Sequence, residues 1–280
     1  MKRIVILVHR DDPHLSELSY VVQPIVSAWK ESGYDVSIVS GPQATADGDI
    51  ALLHVNLTRV PDDHLEFINR FPVVLNGRVV DISKRTVSRN LVQPGDGYEG
   101  PVIVKSNLNS GGRRESRAHA AASPTNKMMR ELRKSLPWAY RTEFKASDYR
   151  IFPTVDEVPE PVWTNSYLVV EKFLAEMHDG LYARRTWIFF GDQELSSVGY
   201  AACPIIGRQD IVREEPAEVP EDLRQIRRDL GFDYGKFDYV IVGGQAVLFD
   251  ANRTPTRGQR PPEEEQERGR LLAAGLQSFL

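Results

Sequence analysis

The residues best placed to do chemistry lie in one stretch, Lys236 to Asn252. Asp238 sits near the start of an apolar run, Phe237 to Val242, and Asp250 and Asn252 close a second run, Ala246 to Ala251. Gly243-Gly244 separates the two runs, a strong short-range hairpin signal. Strand geometry repeats every two residues, so Asp250 and Asn252 share a face. Three oxygen donors then meet at one end of a two-stranded ribbon. Hard oxygen ligands of this kind suit Mg²⁺, which binds through a few carboxylates together with substrate phosphates. The competing reading is a surface hairpin with acids at its ends.

Such a ribbon needs a scaffold, and the chain is long enough to supply one. Its 280 residues, 41% hydrophobic and 26% charged, describe a globular protein with one large core or two smaller ones. The net charge of −4 gives no general attraction to nucleic acid or to anionic membranes. Cys203 is the only cysteine, which excludes an intrachain disulfide and a cysteine zinc cluster and fits a reducing cytoplasm. The apolar run after Met1-Lys2-Arg3 is too short for a signal core and reads as a buried first strand. No apolar run reaches membrane-spanning length.

Strands and helices alternate over the first 80 residues. Strands are expected at Ile4–Val8, Val36–Val39, Ile50–His54 and Val73–Leu75, with helices over Leu15–Ser32 and Asp62–Phe71. Pro24 should kink or split the first helix. This alternation predicts an α/β domain with a parallel sheet. A helix carrying Lys84 follows. Next comes a strand, Val102–Lys105, that runs into Ser106-Asn107-Leu108-Asn109-Ser110-Gly111-Gly112. A basic stretch from Arg113 to Lys134 is expected to be helical over its last ten residues, and 155–165 to be irregular. Strands are expected at Tyr167–Leu174, Arg184–Phe190 and Leu195–Tyr200, and a helix at Leu223–Leu230 closed by Gly231. A last amphipathic helix follows Pro261-Pro262. No internal repeat is visible.

The order of these pieces resembles the ATP-grasp superfamily, and within it carboxylate–amine ligases of the glutathione synthetase and D-alanine–D-alanine ligase type. Four segments carry the resemblance: Pro101 to Lys105, Gly111-Gly112, Val169 to Leu174, and Phe237-Asp238 through Asp250-Ala251-Asn252-Arg253-Thr254-Pro255. It covers about residues 80 to 258. It implies an α+β fold of two subdomains clamping ATP, preceded by the α/β domain. The expected divisions are 1–80, 81–168 with a basic insertion at about 113–163, and 169–280 with the C-terminal helix.

The resemblance also implies roles. Lys84 and Lys105 would hold the ATP phosphates, and Gly111 and Gly112 would form a mobile flap over them. Glu171, Lys172, Phe173 and Leu174 would read and sandwich adenine. His178 and Asp179 compete with Glu176 for the ribose. Asp238, Asp250 and Asn252 would bind Mg²⁺. Aspartate at 250, where the family usually has glutamate, argues for one metal rather than two. Arg185 would face the γ-phosphate or an acyl phosphate, with Arg184 on the opposite face, and Lys236 would stabilise the transferring phosphoryl group.

The implied reaction is ATP-dependent joining of a small-molecule or peptide carboxylate to an amine through an acyl phosphate, in the cytoplasm, with a homodimer as the family-level expectation. The alternatives are a small-molecule kinase and a non-catalytic nucleotide-binding regulatory protein. The basic insertion is read either as a recognition surface for an anionic acceptor or acidic peptide, or as a solvated helix face. His9, Arg10 and Asp11 follow the first strand, where α/β sheets bind ligands, and are read as contacts to the carboxylate substrate or as a polar loop.

Overall fold

Strand β1 (Arg3–Val8) is apolar after Arg3, and its alternation sends Ile4, Ile6 and Val8 into one core and Val5 and Leu7 into another. It is therefore a central strand covered on both faces. In a computed structural model, which describes residues 2–12, 20–43, 45–258 and 260–280, it pairs in parallel with β2 (Asp35–Ser40) and β3 (Ile50–Leu53). Strand β4 (Val73–Leu75) completes a parallel sheet of order β2-β1-β3-β4. Helix α1 (Val22–Glu31) covers one face and α2 (Asp62–Ile68) the other.

The expected helix over Leu15–Ser32 begins instead at Val22 in the described chain, and Leu15 and Leu18 lie outside the described residues. Pro24 does not kink it. It stands in the first turn, where backbone N–H groups have no intrahelical partner to lose.

A one-turn helix, α3 (Lys84–Val87), precedes β5 (Val102–Ser106). Strand β5 is the centre of an antiparallel sheet of three, between β6 (Arg150–Phe152) and β7 (Leu168–Lys172). The division expected at 168/169 is thus corrected, because β7 pairs back onto β5 in register Ile103 to Glu171. The basic stretch is helical over both halves, α4 (Arg113–Ala121) and α5 (Pro124–Lys134), with no residue buried in either. The proline-rich stretch forms a 3₁₀ turn and a short helix, α6 (Glu160–Thr164).

The third sheet has six antiparallel strands: β8 (Glu176–His178), β9 (Leu181–Phe190), β10 (Gln193–Ala201), β11 (Arg213–Pro216), β12 (Tyr234–Val242) and β13 (Gln245–Asn252). Its path runs β11-β10-β9-β12-β13, and β8 also pairs with β9. Helix α7 (Glu221–Leu230), stopped by Gly231 at φ 72°, packs Leu223 and Ile226 on Trp187, Phe189 and Phe237. Gly243 and Gly244 turn the β12–β13 hairpin with φ 59° and 80°, the left-handed geometry that a two-residue hairpin turn requires.

The last helix, α8 (Pro262–Ala274), returns to the first sheet. Trp29 Nε1 donates to the Ala273 carbonyl at 3.0 Å, and Leu272 and Leu276 join the core of α1 and β1. Gly269 is pressed on Pro24, where any side chain would collide with the proline. Among the described residues no helix is long and apolar enough to cross a membrane.

Candidate functional site

The three-stranded sheet and the larger sheet enclose a cavity of about 370 Å³. Register decides what faces it. Asp238 on β12 stands opposite Asp250 on β13, and Lys236 opposite Asn252, so all four share one face. A bulge between Asp238 and Tyr239 sets the acids off from the pairs nearer the turn, Val240 with Val247. The hairpin therefore offers an apolar stretch towards its turn and an oxygen-rich one at its open end. Asp238, Asp250, Asn252, Val240 and Val247 all line the cavity.

The open end is pinned by a residue to which sequence reasoning gave no role. Arg253 is fully buried, and its guanidinium donates to the carbonyls of Val55 (3.1 Å), Leu57 (2.6 Å) and Val79. Three carbonyls from the segments that follow β3 and β4 thereby fix the strand end that carries Asp250 and Asn252.

Both expected lysines reach the cavity, and each holds a carboxylate. Lys84 Nζ lies 2.8 Å from Asp250 Oδ1, and Lys105 Nζ lies 2.7 Å from Glu171 Oε2 and 3.0 Å from the Phe249 carbonyl. Lys236 makes a third pair, 2.7 Å from Asp238 Oδ2, while the Thr186 hydroxyl donates to Asp238 Oδ1 at 2.9 Å. Burial alone would push the Lys84 ammonium down, but Asp250, with Tyr149 and Glu171 nearby, holds it above its ordinary value. For Lys105 burial wins over Glu171, helped by the neighbouring Lys84 charge, and the ammonium is pushed down. Burial would raise Asp238, yet Lys236 and Arg184 overcome it and hold the carboxyl below the usual range. Glu171 Oε1 is buried with no hydrogen-bond partner among the described residues.

Several expected roles are corrected. Arg185 does not line the cavity, because alternation along β9 turns it to the face of Trp187 and Phe189. There it makes a bidentate pair with Glu176, at 2.7 and 3.0 Å. Arg184 is the arginine of this strand that lines the cavity. His178 and Asp179 are outside the lining. His178 is held by Glu176 Oε1 at 3.0 Å, and Asp179 is an exposed turn residue at φ 51°. Lys236 lines the adjoining cavity instead of this one.

The expected flap is a docked turn. The Gly111 carbonyl accepts from the Phe144 amide at 2.9 Å, the Asn109 amide donates to the Thr58 hydroxyl at 2.9 Å, and the Ser110 amide donates to the Asn109 side chain at 2.8 Å. At Gly111, φ 68°, a side chain would run into the Phe144 carbonyl, so glycine is required by close approach as well as by backbone. Gly111 lines the cavity and Gly112 does not.

Lys172, Phe173 and Leu174 do line it. The Lys172 and Phe173 amides are already spent, donating to the carbonyls of Asn90 (2.9 Å) and Pro101 (2.8 Å), while the Lys172 ammonium lies over the Tyr98 ring. Arg113, Phe144 and Tyr149 complete the lining from the segment between β5 and β7. His9, Arg10 and Asp11 stay away from it. His9 stacks on His64, and Arg10 pairs with Asp63 at 2.8 Å.

The donor set suits a hard divalent ion. Asp238 and Asp250 stand on adjacent strands, with the Asn252 amide oxygen two residues beyond. Among the described residues no group of three or more His, Cys, Asp or Glu gathers as a metal site, here or elsewhere, so an ion here would rest on two carboxylates and an amide. An ammonium within 2.8 Å of each carboxylate shows that both oxygens are already presented to a cation.

No family model and no curated protein matches the chain. Among solved structures, a D-alanine–D-alanine ligase from Bacillus anthracis aligns over 100% of this chain and 96% of its own, with 14% identity and a TM-score of 0.51. A RimK-domain ATP-grasp protein from Sphaerobacter thermophilus aligns over 98% and 99%, with 11% identity and a TM-score of 0.49. The chain is thus similar in its overall fold to that D-alanine–D-alanine ligase.

Proposed function

We propose that the chain is an ATP-dependent carboxylate–amine ligase that works through an acyl phosphate. One observation carries this reading: a single cavity between two sheets gathers two buried lysines and three oxygen donors on adjacent strands. The apolar lining, Phe173, Leu174, Val240 and Val247, suits a flat ring. The unpartnered Glu171 oxygen would accept from an exocyclic amino group, and Leu174 supplies the first amide beyond the two already spent. Lys84, Lys105, Arg113 and Arg184 are the cations for the phosphates. Asp238, Asp250 and Asn252 would hold Mg²⁺, which when bound neutralises charge on the phosphoryl oxygens.

Without a nucleotide the site neutralises itself, lysine against carboxylate. With MgATP bound the same groups would exchange partners, Lys84 and Lys105 serving the phosphate oxygens and Asp238 and Asp250 holding the ion. No burial of unpaired charge is needed in either state. The substrate carboxylate attacks the γ-phosphorus and ADP leaves. The amine then attacks the acyl carbon, loses a proton and expels phosphate. The protein positions the reactants, neutralises charge and excludes water. The reading places the reaction in the cytoplasm, with the three-stranded and six-stranded sheets as the two jaws.

The test is thermal stabilisation by MgATP of the wild type, Asp250→Ala and Asn252→Ala. At 100 times its dissociation constant a ligand stabilises by about 2.7 kcal/mol. A shift in the wild type that shrinks in both variants supports the site. ADP release with pooled carboxylates and amines follows, and an amide product separates a ligase from a kinase, whose product keeps the phosphate. No shift at millimolar MgATP overturns the reading.

A further inference from the structure

A second cavity, of about 610 Å³, lies on the same face of the six-stranded sheet. Arg184, Thr186 and Ile188 alternate along β9. They stand beside Asp238 and Lys236 on β12 and beside Ser197 and Leu195 on β10. The first cavity takes Arg184 and Asp238. The second takes Arg184, Thr186, Ile188 and Lys236. The two are successive stretches of one surface that meet at Arg184. The far wall of the second comes from the start of α1, from α8 and from the segment between β13 and α8.

Its charges do not balance. Arg208 is paired with Glu214 at 2.7 Å, Arg260 with Glu264 at 2.7 Å, and Lys236 with Asp238 at 2.7 Å. Arg257 and Arg268 are half-buried in the lining and make no hydrogen bond or ion pair among the described residues. Arg184 gives one nitrogen to the Ile206 carbonyl, and its Nε is buried without a hydrogen-bond partner among the described residues. Three guanidiniums with open donors therefore converge on one cleft. Burial, with Arg260 beside it, pushes Arg268 below its ordinary value even though Glu265, Glu264 and Glu214 lie near enough to oppose the shift. Guanidinium forks match carboxylate and phosphate oxygens in pairs. Between them the floor is apolar, made by Ile188, Leu195 and Leu272.

We infer that this cleft binds the carboxylate substrate and that the substrate carries a second anionic group on an apolar chain. One carboxylate meets Arg184, at the boundary with the nucleotide cavity, and the second anion is held by Arg257 and Arg268. The assignment of the first carboxylate to activation rests on the ligase reading, whereas the anion site at Arg257 and Arg268 does not.

The experiment uses the full chain and calorimetric titration, with and without MgATP. The probes are straight-chain dicarboxylates of four to eight carbons, the matching ω-phosphonocarboxylates, and monocarboxylates of equal length. The two dianion series separate a second carboxylate from a phosphate-like group. At least one dianion should bind tenfold or more tightly than its monocarboxylate. The Arg257→Gln/Arg268→Gln variant should lose that advantage while keeping the MgATP-induced thermal shift, which also reports that it folds. The inference is overturned if no dianion in either series outbinds its monocarboxylate, or if the variant keeps the advantage. Dianion binding that depends on Arg257 and Arg268 in a protein that ignores MgATP would uphold the anion site and sink the ligase reading. A MgATP shift with no dianion preference would do the reverse.

Discussion

His54 and Lys84 are both buried bases, and the protein treats them in opposite ways. His54 follows β3, with its ring edge-on to Tyr20 at 4.8 Å and stacked near Tyr234 at 6.0 Å, and neither ring nitrogen has a hydrogen-bond partner among the described residues. Burial, with Arg253 and Arg114 nearby, pushes its pKa down to about 3, so it is held neutral. Lys84 is as deeply set, but Asp250 lies 2.8 Å away and the ammonium stays charged. Desolvation disfavours the charged form at both places. A carboxylate within reach decides the outcome. The first sheet discards charge to build a core, and the cavity keeps charge that a core alone would not need. Lys105 against Glu171 is more enclosed still, with side chains 6% and 2% exposed, and there burial outweighs the carboxylate and pushes the ammonium down.

The largest effect should come from breaking that pair. Glu171→Ala leaves the Lys105 ammonium buried without its paired carboxylate, holding only the Phe249 carbonyl, and should cost about 3–5 kcal/mol in urea unfolding, whereas the double change Lys105→Met/Glu171→Leu should be close to neutral. A loss below 1 kcal/mol for Glu171→Ala would mean that the ammonium simply sheds its proton, as His54 does, and the contrast would collapse.

Adjacent arginines test the same idea on the sheet. Arg184→Ala removes an open cation from the cavity and should lower ATP turnover about 100-fold. Arg185→Ala removes a closed one. It should leave turnover nearly intact and cost about 1–3 kcal/mol of stability by stripping Glu176 of its guanidinium. Equal losses of turnover in the two variants would erase the distinction between the faces of β9.

The smallest effect belongs to His54 near neutral pH. Its folded pKa of about 3 lies below the ordinary value of 6.5, so on acidification the unfolded chain takes up a proton that the folded chain refuses. Stability from this group is complete above pH 6.5 and falls as pH drops towards 3, by up to about 1.4 kcal/mol per unit. His54→Leu should flatten that limb. An unchanged acid limb in the variant would show that other groups carry it.

Much of the site was legible because its signals are local. Two glycines at a turn, an acid before it and an acid and an amide after it fixed a hairpin, and period two put Asp250 with Asn252. The parallel strands of the first sheet showed in the alternation of strands with helices. What escaped was relational. Alternation places Arg184 and Arg185 on opposite faces, but nothing in the pattern says which face meets a cavity and which a core. The docked state of Gly111 depends on a backbone approach from Phe144, 33 residues away. Three-residue strands such as β6 and β8 are too short to show a period.

Sequence by itself therefore determined the order of elements and the hairpin with Asp238, Asp250 and Asn252, while Lys84 and Lys105 entered through the resemblance. Tertiary structure alone decided the partners: Lys84 with Asp250 across 166 residues, Arg253 under the first sheet, α8 folded back on α1, and three arginines open in one cleft. The physical reason is range. Strand period and turn chemistry act over a few bonds and are written in neighbouring residues. The charge state of a buried group is set by whatever the rest of the chain brings within about 4 Å of it.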